Sequence, residues 1–83
     1  MSTAQEVRNI LAQSLQLGAR AERLTADSPL LGAIPELDSM AVVMILTAME
    51  EHFGFSVDDD EISADTFQTL GTLTAFVEQK LAS

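Results

Sequence analysis

Few residues in this 83-residue chain can do chemistry: there is one histidine, His52, no cysteine, and a set of thirteen acids. The position that raises a question is Ser39, which stands behind Asp38 at the head of an apolar run in the stretch PELDSMAVVMILTAMEEHFGF. A Ser-His-Asp relay would have to pair Ser39 with His52, yet thirteen residues along one helix separate them by about four turns. That triad cannot form within one chain, and His52 reads as a last-turn residue favourable to a helix C-terminus. A calcium loop opening at Asp58 would need Gly at its sixth position and Glu at its twelfth, where the chain has Ser63 and Thr69. No metal site is expected. The absence of cysteine removes disulfides, thiolate nucleophiles and zinc-thiolate sites together, so any thiol chemistry must be imported.

The elements that position Ser39 follow from periodicity. Thr3-Ala-Gln-Glu6 has the form of a capping box, and Val7, Ile10, Leu11 and Leu15 recur at helical spacing before Gly18, which predicts a first helix over about residues 4–17. Between Gly18 and Leu37 lie both prolines and much turn and cap material, a long loop with Leu24, Leu30, Leu31 and Ile34 as anchors to the core. Met40 to Met49 could pass for a buried strand, but its length and flanks argue for a helix. Asp38 or Ser39 can cap it, Leu37 can act as a staple, and Glu50, Glu51 and Phe53 carry the period to Gly54. On a helical wheel Val42, Ile45, Leu46, Met49 and Phe53 share the core face, and Met40, Val43, Met44, Thr47 and Glu51 the opposite one. Met and Val beside acids form an adaptable surface suited to meeting partners, unless the preceding loop covers them. Asp58-Asp-Asp-Glu61 opens a brief third helix ending near Ile62 or Ser63. Asp65-Thr-Phe-Gln68 then caps a last helix with Phe67, Leu70, Leu73, Phe76, Val77 and Leu81 buried. The result is an all-α four-helix bundle, a single domain over residues 1–83, with a long loop after the first helix and a short third helix.

Size and charge bound what such a bundle can do. A chain this small buries one modest core and has no room for a deep enzyme cleft, which favours binding or carrying. Residues 1–24 sum to +1 and residues 25–83 to −10, giving the net −9. That field disfavours nucleic acid and anionic membrane and draws basic protein surfaces toward it. The longest apolar run, Ala41 to Leu46, is too short to span a bilayer, and Ser2 to Arg8 is not a leader sequence. A cytoplasmic monomer is expected.

From about Leu30 to Leu81 the chain resembles the acyl carrier protein family, whose signature is an Asp-Ser-Leu at the start of the second helix. Here the counterpart is Asp38-Ser39-Met40, followed by AMEEHFGFSVDDDEI and TFQTLGTLTAFVEQKL, which are similar to the family's acidic helix end, short third helix and final helix. The resemblance implies that Ser39 receives 4′-phosphopantetheine from coenzyme A through a separate phosphopantetheinyl transferase, and that the arm's thiol carries acyl groups as thioesters. It implies a protein with no catalysis of its own, serving an acyl-loading ligase or acyltransferase and other biosynthetic enzymes with basic docking surfaces. Asp38, Met40, Val43, Met44, Thr47, Glu50 and Glu51 are then the residues that partners recognise, with Asp38 accepting a basic group or aiding a metal in the transferase.

Departures bear on which carrier this is. Met40 replaces the usual Leu with little change in volume. Ala41 and Met44 stand where carriers of fatty acid synthesis commonly have acids, and LLGAIPELDSM spaces its Leu-Gly and Asp-Ser elements more widely. These differences point to a specialised carrier. A peptidyl or aminoacyl carrier of a nonribosomal peptide or polyketide pathway shares the fold, and a helical interaction module with Ser39 as a mere cap is the rival from another class.

Overall fold

The computed structural model describes residues 2–82, without the side chain of Asp59. Three α-helices carry the core: α1 (Thr3–Leu15), α2 (Ser39–Phe53) and α3 (Leu70–Ala82). The short third helix of the bundle is made of tight 3-10 turns at Asp59–Glu61 and Ala64–Phe67, and a longer 3-10 helix, Gly18–Arg23, opens the long loop. Among the described residues there is no strand, only an isolated bridge between Pro29 and Thr69.

Each helix begins and ends for a local reason. The Ser2 hydroxyl accepts the Gln5 amide at 3.2 Å, so α1 starts one residue ahead of the anticipated Thr3 cap and leaves Thr3 inside the helix. The Glu6 carboxylate, freed from a capping box, lies instead 3.2 Å from His52 Nε2. At its other end α1 stops at Gln16, which adopts the left-handed conformation at φ 54°, so Gly18 opens the 3-10 helix and is not itself the stop. The last helix also starts later than the sequence suggests. Asp65 belongs to a 3-10 turn, and the cap falls to Thr69, whose hydroxyl accepts the Thr72 amide at 3.1 Å while Thr72 Oγ1 accepts the Thr69 amide at 3.0 Å.

One core joins the three helices. Val7, Ile10, Leu11 and Leu15 of α1 are all buried, together with Ile45 and Met49 of α2 and Leu70, Leu73 and Val77 of α3. Val42, Leu46 and Phe53 are half-buried against this cluster, so the core stripe of α2 is turned slightly from the wheel assignment and takes in Ala41 as well. Leu81 is exposed because it lies in the final turn, past Val77. The long loop is pinned by Leu30, Leu37 and Ala21, with Leu24 and Ile34 half-buried, while Leu31 faces outward.

Main-chain bonds tie this loop to the start of α3. Leu30 N–H donates to Gln68 O at 2.9 Å, Leu31 N–H to Phe67 O at 3.0 Å, Leu70 N–H to Ser28 O at 3.1 Å and Gly71 N–H to Ala26 O at 2.8 Å. A loop without regular structure must place its polar backbone somewhere, and here the opposing segment receives it. A Cβ on Gly71 would sit 2.8 Å from the Ala26 carbonyl oxygen, so this approach needs the missing side chain.

Candidate functional site

The approach to Ser39 is fixed on both sides by burial. Leu37 is anchored in the core two residues before it and Ala41 two residues after, leaving Asp38, Ser39 and Met40 facing solvent. Asp38 is extended, at φ −114° and ψ −172°, and its Oδ1 accepts the Ala41 amide at 2.8 Å. Asp38 is therefore the cap, and Ser39 is the first residue of α2 with its hydroxyl outside the capping arrangement.

This division of labour bears on what Ser39 can hold. The amides of Ser39 and Met40, at the first helical turn, have no carbonyl one turn back to bind, and the helix dipole adds positive potential there. An anionic phosphodiester fits that end. His52 lies at the opposite end of the same helix, paired with Glu6 and edge-on to Phe53 at 4.8 Å between ring centres. The chain thus offers Ser39 no imidazole, and among the described residues no three His, Cys, Asp or Glu side chains are grouped to hold a metal ion.

The outer face of α2 is as the wheel predicts. Met40, Val43 and Met44 are 75%, 61% and 54% exposed, so the preceding loop does not cover them. Thr47 and Glu51 continue the same face in the open. Glu50, expected as a surface acid for partners, is half-buried, and its Oε2 accepts the Val57 amide at 2.7 Å, holding the turn after α2. Ala41 is likewise inward and adds nothing to the outer face. Close to Ser39, Glu36 forms an ion pair with Arg20. That hydrogen bond from the guanidinium holds the Glu36 carboxyl below the usual carboxylate range. This pair had no signal in the sequence, since its partners lie at opposite ends of a loop whose path no periodicity reveals.

Two surface cavities lie elsewhere. One of about 420 Å³ opens between the first turns of α1 and the Leu24–Ala26 stretch, beside Leu70. The other, of about 150 Å³, is bounded by Leu17, Arg20, Leu24, Ala33, Ile34 and Pro35. Ser39 lines neither of them. No helix among the described residues is long and apolar enough to cross a membrane.

An exposed serine at the open end of a helix, in a small helical bundle, suits a carrier of a covalently attached group. Comparison with known proteins gives the same class. The family described as "Phosphopantetheine attachment site" matches residues 5–77. The acyl carrier protein of Akkermansia muciniphila is 31% identical over 78 residues, covering 94% of this chain and 91% of that one. The solution structure of a holo acyl carrier protein from Nitrosomonas europaea is similar with a TM-score of 0.92 and 64% identity, over 100% of both chains. The chain belongs to the phosphopantetheine-attachment family and is an acyl carrier protein, bearing that prosthetic group and having no catalytic activity of its own. When bound, the group supplies a thiol at the end of a flexible arm, which this cysteine-free chain does not itself contain.

Proposed function

We propose that Ser39 is the attachment point, and that residues 1–83 act as a single carrier domain presenting acyl thioesters to the enzymes of fatty acid or related lipid or polyketide biosynthesis. The observation that carries this reading is the exposed Ser39 at the open N-terminus of α2, with its cap supplied by the neighbouring Asp38. A serine needed as the cap would be drawn back onto the helix; here the hydroxyl is free to be esterified without disturbing the fold. No base is required of this chain, because the phosphopantetheinyl transferase brings its own.

Met40, Val43, Met44, Thr47 and Glu51 form the face that partners read, with Asp38 at its edge. The apolar opening of α2 favours a specialised carrier with a dedicated loading ligase or acyltransferase over one serving the general fatty acid cycle. The net charge of −9 steers basic enzyme surfaces toward it and helps keep the carrier soluble and monomeric, as a role among cytoplasmic enzymes requires. Incubation of the apo chain with coenzyme A and a broad-specificity phosphopantetheinyl transferase, followed by intact mass, tests the attachment point: one arm is gained by the wild type and none by Ser39→Ala. Intact mass of natively expressed protein then reports the cargo.

A further inference from the structure

The two cavities differ in what can reach them. Glu6, in the first turn of α1, meets His52, in the last turn of α2, so the two helices run antiparallel and the end of α1, with the 3-10 helix after it, comes to the Ser39 end of the bundle. The larger cavity, beside the first turns of α1, therefore lies at the end away from Ser39. The smaller one lies at the near end, where Leu17, Leu24, Ile34 and Pro35 supply apolar walls and Arg20 a charged rim. Pro35 stands four residues before Ser39, at most about 14 Å away along an extended chain. Bonds from Leu37 N–H to Ile34 O at 3.0 Å and from Asp38 N–H to Glu36 O at 3.2 Å fold that connection shorter still. Extended phosphopantetheine is longer than this span.

Resting on the reading of Ser39 as the attachment point, we infer that the arm has a resting seat on its own carrier: its geminal dimethyl group enters the pocket between Leu17 and Pro35, and its amides bond the Arg20–Glu36 pair at the rim. At about 150 Å³, with aliphatic walls, the pocket suits an apolar group of up to about benzene size. The Arg20 guanidinium gives one N–H to Glu36, which leaves donors for an amide carbonyl, and the carboxylate beside it accepts an amide N–H. A plain acyl chain would fill the walls and leave this rim idle, whereas pantetheine carries branched methyls and amides on one short chain. The seat need not be strong. A short tether gives an effective concentration on the order of millimolar, at which a pocket too weak to hold a free ligand is occupied by an attached one. None of the pocket residues belongs to α2, so a seated arm leaves the outer face of that helix open to partners.

The test loads the apo chain from coenzyme A isotope-labelled in its pantetheine portion and follows the arm by filtered NMR. Nuclear Overhauser contacts should run from the arm's geminal methyls to the methyls of Leu17, Leu24 and Ile34, and apo and holo spectra should differ at residues 33–36 and at Arg20. Ala33→Phe, at an exposed position on the pocket's edge, fills the seat and should abolish these contacts. Arg20→Leu keeps an apolar stem but removes the donors, and should return the arm's amide shifts to those of the holo chain unfolded in urea. Circular dichroism confirms that each variant is folded, and the wild-type contacts decide by themselves should a variant unfold. Arm methyls in contact only with α2 or core residues, or with nothing, overturn the inference, as do contacts that persist undiminished in Ala33→Phe. Contacts that vanish on dilution also overturn it, because the pocket would then hold the arm of a second copy. A wild type that gains no arm overturns the reading of Ser39 itself, whereas one that gains the arm without these contacts overturns the seat alone.

Discussion

At the scale of single residues, Asp38 and Ser39 separate two properties that adjacent positions often confuse. Asp38 satisfies the Ala41 amide and Ser39 does not, so Ser39→Ala should leave the unfolding free energy nearly unchanged, within about ±0.5 kcal/mol, while abolishing modification. Asp38→Ala should cost about 0.5–2 kcal/mol in chemical unfolding, the usual cost of a lost cap. Equal losses in both variants would assign the cap wrongly. The core face of α2 gives a second contrast. Ile45→Ala should lose about 2–5 kcal/mol, whereas Thr47→Ala, on the outer face, should be nearly neutral. The sequence made Ser39 and the outer stripe legible because helical period and a short motif are local signals. It could not reveal that Glu50 turns back to the Val57 amide or that Glu36 meets Arg20, because both contacts depend on where a turn and a loop bring the chain.

At the scale of elements, the approach of Ala26 to α3 is the most restrictive contact. An alanine at position 71 would gain up to about 1 kcal/mol in helix propensity, but its Cβ would press on a backbone oxygen that cannot rotate away. Gly71→Ala should therefore be destabilising by about 1–3 kcal/mol in urea unfolding; a stabilised variant would show that the loop yields instead. The segment after α2 has its own clasp. Glu61 accepts the Asp58 amide at 2.8 Å and the Lys80 ammonium at 2.8 Å, and these bonds, the amide first, hold its carboxyl below the ordinary value. A carboxylate lowered in the folded state contributes stability above its unfolded pKa and loses it as pH falls through the folded one. The Asp58 amide resonance should thus shift as acid enters that range, and Glu61→Gln should remove the shift. Three helices were visible from their apolar spacing and the short third one from its acidic opening at Asp58, but the 3-10 turns at Gly18–Arg23 and Ala64–Phe67 were not, since runs of four to six residues are too short to show a period. The misplaced starts of α1 and α3 share a cause: more than one cap-forming residue stands near each, Ser2 and Thr3 at the first and Asp65, Thr66 and Thr69 at the second, and only the packed helix decides which becomes the cap.

For the whole molecule, charge and core oppose each other. With a net charge of −9 and an isoelectric point near 4.1, the folded chain repels itself at neutral pH, and its ion pairs are too exposed to offset this. Raising salt from about 0.01 M to about 1 M, which shortens the screening length from about 30 Å to about 3 Å, should raise the melting temperature at pH 7. A fall on adding salt would mean that the Arg20–Glu36 and Lys80–Glu61 pairs matter more than the repulsion.

The four main-chain bonds between residues 26–31 and 67–71 also set a schedule for the molecule. Each helix can form from its own neighbours, but the long loop finds its bonding partner only in residues made well after it. While the ribosome still holds those residues, the serine-bearing helix can emerge, yet the loop leading into it has nothing to fasten to. The fixed entry to α2 is thus completed only once residues 67–71 are in place, a segment far from Ser39 in sequence.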